Sequence, residues 1–174
     1  MNHRLLPFAA LLGFAACGDS TEIDPGLYEV ETQILQVRAE GLPADVAQAM
    51  RANKQTRRNC ITAEAAANPE ASFLSPDAVR NCPTRQLSFD SGRISGSMTC
   101  TGLPGQPNAR GEVRMSGTYE ERSYEYTAQM ELSAQLPGST KATPITMEVR
   151  TRGTRIGECQ DEKGGNASAG GNRQ

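Results

Sequence analysis

The chain has 174 residues, with 18 Lys and Arg against 20 Asp and Glu, a formal charge of −2 and a length that suits one domain. That balance carries no electrostatic footprint for nucleic acid. With no tryptophan, one histidine and five cysteines, histidine-centred catalysis and histidine metal sites have almost no raw material.

The first element in chain order is an export signal. Arg4, beside His3, leads into an apolar run from Leu5 to Ala16, and small Ala15 and Ala16 precede Cys17. A bilayer span takes about 20 apolar residues, so the run is too short to cross and reads as a signal peptide. The ending "FAAC" fits the cysteine-terminated cleavage site of bacterial lipoproteins, with Phe14 where leucine is usual. Residues 1–16 are therefore read as signal peptide, and Cys17 as a diacylglyceryl-bearing mature N-terminus. The alternative, an ordinary small-x-small cleavage, leaves Cys17 an exposed reactive thiol in an oxidising compartment. Several acyl chains anchor a protein stably where one is marginal. Gly18, not aspartate, follows the cysteine, a pattern that resembles sorting onward to the outer membrane. The expected location is the periplasmic face of the cell envelope, lipid-anchored, outer membrane before inner. Cleavage removes Arg4 from the 18 basic residues, leaving 17 against 20 acidic, and also removes His3, the one histidine.

Residues 17–25 read as a lipidated tether, 26–159 as a β-rich domain, and 160–174, a Gly/Ser/Asn stretch with no apolar anchor, as a disordered tail. "GLYEVETQILQV" predicts a strand whose alternation changes phase at Ile34–Leu35, as at a bulge. "LPADVAQAMRANK" predicts a short helix, with Pro43 early, Asp45 in the first turn, Val46 and Met50 on one face, and Arg51 and Lys54 closing it. "TRRNCIT" predicts a strand and "TAEAAANP" a helix of one or two turns, with Thr62 as N-cap and Pro69 as terminator.

From Gln86 onward, period-two alternation runs through four successive segments, which argues antiparallel strands with one buried face. The inward set includes Ile94, Met98, Val113, Met115, Tyr126, Met130, Leu132 and Met147. A turn at Ser91-Gly92 pairs Phe89 with Ile94 and Leu87 with Gly96. A turn at "EERS" pairs Tyr119 with Tyr124, Met115 with Ala128 and Val113 with Met130, so that inward residues meet inward residues. The next hairpin pairs Met130 with Met147 and Glu125 with Arg152. The fold class expected is mainly β: one antiparallel meander sheet, curved or half-barrel, with one or two short helices and disulfide staples.

Lipidation of Cys17 leaves Cys60, Cys82, Cys100 and Cys159, for which three connectivities exist. No CxxC pair is present, so structural disulfides are favoured over redox or zinc chemistry. Cys82 and Cys100 flank one predicted hairpin. They lie one residue out of phase, which an irregularity at Pro83 would correct. Cys60 then joins Cys159.

The pieces "PGLYEV", "CITAEAA" followed by "FL", "NC" at Asn81-Cys82, "GSMTC" at 96–100 and "RIGEC" ending at Cys159 resemble, in that order, a family of small exported proteobacterial proteins known as a domain of unknown function, number three-six-one-seven. Members often have tryptophan where Tyr28 stands. The resemblance implies a β-rich exported domain with paired cysteines and carries no activity.

No catalytic, cofactor-binding or metal-ligating set emerges. Glu120-Glu121 and Asp161-Glu162 fall in a turn and the tail, where acid–base work lacks a cleft. Lys54, Arg57 and Arg58 read as solvated surface, with contact to anionic headgroups as the sharper reading. Gly102 and Gly105 lack the strand-then-helix setting of a phosphate loop, and the sequon at Asn166 is idle in a bacterial lipoprotein. The methionines read as core, though soft methionine surfaces also suit apolar ligands. Two function classes follow, neither an enzyme and neither needing a cofactor. One is an envelope lipoprotein serving as assembly accessory or protein-interaction module. The other is a carrier or sensor of a small apolar ligand in the concave face of the sheet. A continuous pocket of a few hundred Å³ would favour the carrier.

Overall fold

The computed structural model describes residues 22–74, 80–103, 106–135 and 141–159. The signal segment, Cys17, the tail 160–174, Gly105 and Asn166 lie outside the described residues.

Alternating sequence becomes sheet almost throughout. The strands are β1 (Gly26–Ala39), β2 (Lys54–Ile61), β3 (Thr84–Asp90), β4 (Arg93–Leu103), β5 (Gln106–Glu120), β6 (Ser123–Gln135) and β7 (Ala142–Gly157). The short helices α1 (Ala44–Ala52), α2 (Ala63–Ala66) and α3 (Pro69–Phe73) lie between β1 and β3. All strands pair antiparallel in one seven-stranded sheet of order β2-β1-β7-β6-β5-β4-β3. The sheet is open, with β2 and β3 as its edges. β3 to β7 form a continuous meander, and the β1–β2 hairpin closes back on β7.

The registers follow the rule that inward meets inward. Phe89 faces Ile94 and Leu87 faces Gly96 across β3–β4. Tyr119 faces Tyr124, Met115 faces Ala128 and Val113 faces Met130 across β5–β6. Met130 faces Met147, and Glu125 faces Arg152, across β6–β7. The β3–β4 turn takes Ser91 at φ 49° and Gly92 at φ 73°, the left-handed pair that a two-residue hairpin needs. The ladder between β1 and β7 shifts between Ile34 and Gln36, which places the bulge at the change of phase.

One sheet face is buried. Ile94, Met98, Val113, Met115 and Leu132 are core residues, and Tyr126 and Met130 pack against the core half-buried. α2 and α3 lie on this face, adding Phe73, Leu74, Ala65 and Ala66. Thr62 caps α2, its hydroxyl accepting from the Ala65 N–H at 3.1 Å. Pro69 does more than end that helix: it occupies the first turn of α3, where its missing N–H costs nothing. α1 buries none of its residues, and Val46 stays 42% exposed. Ile23, within the segment read as tether, is buried in the core. The Asp24 N–H bonds the Glu121 carbonyl at 2.6 Å.

Both disulfides are formed: Cys60–Cys159, spanning 99 residues, and Cys82–Cys100, spanning 18. The β3–β4 ladder stops at Thr84 opposite Thr99. Cys82 sits beyond Pro83, outside the ladder, and so escapes the phase that strict register would impose.

Candidate functional site

On β2 the inward alternation carries Arg57, Asn59 and Ile61, which face Val30, Tyr28 and Gly26 of β1. On β6 it carries Tyr124 and Tyr126. α3 brings Ser72 and Phe73 over the sheet, and Leu74 follows. These side chains, with Ala65 and Cys60, line a cavity of about 400 Å³, within the ~300–1,000 Å³ typical of small-molecule sites.

Phe73 organises its aromatic wall. Its ring meets Tyr124 edge-on at 4.9 Å and Tyr126 edge-on at 6.4 Å, and stacks on Phe89 at 5.3 Å. Such offset and T-shaped arrangements suit the ring quadrupoles. Tyr124 lies against Gly153 of β7, where any Cβ would strike its ring. Burial raises the phenol of Tyr124 well above the usual tyrosine range, because the charged form is poorly solvated there. Tyr126 is raised for the same reason, opposed by a hydrogen bond from Thr151 and by the positive charge of Arg57. The Tyr126 hydroxyl donates to the Phe73 carbonyl at 3.4 Å. Both phenols stay neutral donors at any physiological pH.

Among the described residues the lining holds one charged side chain, Arg57, and no carboxylate. Among the described residues no acidic group pairs with Arg57. Its neighbour Lys54 binds Glu31 at 3.1 Å. On the far edge, the inward Arg85 is closed by Glu70 of α3 at 2.6 Å. Cys60 is exposed and lines the cavity rim, whereas Cys82 and Cys100 are 2% and 1% exposed.

Other sequence candidates remain apart from this site. Glu120 and Glu121 are exposed at the β5–β6 turn, and the Glu121 carbonyl accepts from the Tyr28 hydroxyl at 3.2 Å. Met98 and Met115 are core, and Met130 and Met147 are half-buried opposite one another. Among the described residues there is no group of His, Cys, Asp and Glu able to hold a metal ion. Lys54, Arg57 and Arg58 are all exposed, as the solvated-surface reading of "KQTRRN" expects, and Arg57 in addition lines the cavity, which that reading did not give. The signal for it was the alternation of Arg57, Asn59 and Ile61, which puts the arginine on the same face as a core residue.

Residues 23–159 match the model of the family described as protein of unknown function, DUF3617. The chain belongs to this family. No curated protein and no solved structure matches it. Within this DUF3617 domain, the matched span begins at Ile23, the first buried residue among those described, and ends at the second half of the long disulfide, Cys159.

Proposed function

We propose that this DUF3617 protein is a non-catalytic binding module of the cell envelope, anchored by lipid on Cys17, that holds a small ligand with an apolar body between α3, β2 and β6. The observation that carries the reading is the cavity of about 400 Å³, walled by Phe73, Leu74, Ile61, Tyr124 and Tyr126. An interior packed to completion would favour a protein-interaction role alone. The lining offers hydrogen-bond donors and an apolar wall. Its titratable groups are a guanidinium and two phenols pushed upward, a poor set for acid–base exchange near neutral pH.

A second reading, an accessory that binds another envelope protein, draws on α1, which buries no residue and exposes Val46. The short, cysteine-ended apolar run supports the anchor. Metabolic labelling with a palmitate analogue tests it: wild type is expected to label, and label equal to that of Cys17→Ser would refute it. For the ligand, thermal unfolding is followed with and without small molecules extracted from the envelope. A ligand specific for the folded state raises the midpoint. A midpoint unmoved by every fraction argues against the binding reading.

A further inference from the structure

We infer that the ligand of this cavity is a small organic anion, its apolar body against Phe73, Leu74 and Ile61 and its acidic group on Arg57. The inference rests on the cavity being a binding site and adds the charge of what fills it.

The sheet carries two inward-facing arginines near its edges, and they are treated differently. Arg85 on β3 is neutralised by Glu70 and also donates to the Cys82 carbonyl at 2.8 Å. Arg57 on β2, exposed at the cavity, meets no carboxylate among the described lining residues, and its charge reaches the phenols of Tyr124 and Tyr126. A guanidinium left open beside an apolar wall is a ready half of a forked, charge-assisted pair with a planar or tetrahedral anion. Asn59, also on the lining, is a further donor. A neutral ligand would leave the arginine with no counter-charge. A cation would meet it head-on.

Inward charges on an edge strand also discourage pairing with another chain. Lys54 and Arg58, exposed on the same strand as Arg57 is, already serve that purpose. Edge protection by itself would not require the described lining of the cavity to be free of acidic groups.

The test uses two dyes on the full mature protein: 1-anilinonaphthalene-8-sulfonate, an anion, and N-phenyl-1-naphthylamine, the same ring system without the sulfonate. The wild type is expected to bind the anionic dye with single-site stoichiometry and at least about tenfold more tightly than the neutral one. Arg57→Gln should weaken the anionic dye by about tenfold or more and leave the neutral dye unchanged. Arg58→Gln, one residue away on the outer face, should change neither. Ala65→Phe, which fills the cavity, should weaken both, with circular dichroism verifying that each variant is folded. Displacement by naphthalene-1-carboxylate or by 1-naphthyl phosphate then separates a carboxylate from a phosphate ester, and displacement by neither overturns the inference. Equal binding of both dyes, or indifference to Arg57→Gln, also overturns it, and the cavity reading survives if Ala65→Phe still abolishes binding. If neither dye binds the folded wild type, both readings fall together.

Discussion

Two single residues show how closely this inner face is fitted. Tyr28 is fully buried, and its hydroxyl donates to the Asp24 carbonyl at 2.8 Å and to the Glu121 carbonyl at 3.2 Å, joining the start of the domain to the β5–β6 turn. Tyr28→Phe removes both bonds and should cost about 1 kcal/mol, read from denaturant unfolding. Burial, and then the charge of Asp24, push this phenol up to about 12, while in the unfolded chain it ionises near ~10. The unfolded state therefore gains a charge first as pH rises. The stability contributed by neutral Tyr28 is complete below pH ~10 and is lost as pH climbs toward 12. Wild type should lose stability across that window more steeply than Tyr28→Phe, and parallel curves would refute the linkage. Gly153 is the second case. A Cβ there would strike the Tyr124 ring, so Gly153→Ala should destabilise by about 1–3 kcal/mol as overpacking does. A neutral result in thermal unfolding would mean that the ring is free to move aside.

At the scale of elements, the hairpins were legible residue by residue, since alternation fixes which face is buried and the turn fixes the register. The bulge near Leu35 was legible for the same reason. The place of β1 was not. Alternation says that a strand has an inner face but not which neighbour it takes, and β1 inserts between β2 and β7. α3 was hidden because Pro69 both stops one helix and starts the next. Sequence also gave no measure of how differently the two disulfides are exposed. Cys60 is open to solvent while Cys82 and Cys100 are buried, so a mild dithiol should open Cys60–Cys159 first, as access controls exchange. Mass mapping of alkylated peptides checks this, and prior labelling of Cys82 or Cys100 would contradict it. The long bridge closes a span of 99 residues, for which the chain-entropy model gives about 4.7 kcal/mol as an upper figure. Cys60→Ser and Cys159→Ser together should be no worse than either alone, because they break one bond. Additive losses in equilibrium unfolding would show separate roles.

For the molecule as a whole, the fold class and the pairing of cysteines could be read from the chain, whereas the cavity could not. A pocket arises where β2, β6 and α3 meet, and those elements come together only through the order of the sheet. The pieces were visible separately: a polar alternation on an edge strand, two tyrosines two residues apart, and a phenylalanine after a short helix. Their convergence around Arg57 is the arrangement on which the proposed binding role rests. The most direct measurement is mass spectrometry of small molecules released on denaturing wild-type and Ala65→Phe proteins, purified in parallel from solubilised envelope. A compound in stoichiometric amount is expected with the wild type, and strong depletion of it from the folded variant. Indistinguishable extracts from the two proteins would contradict this expectation.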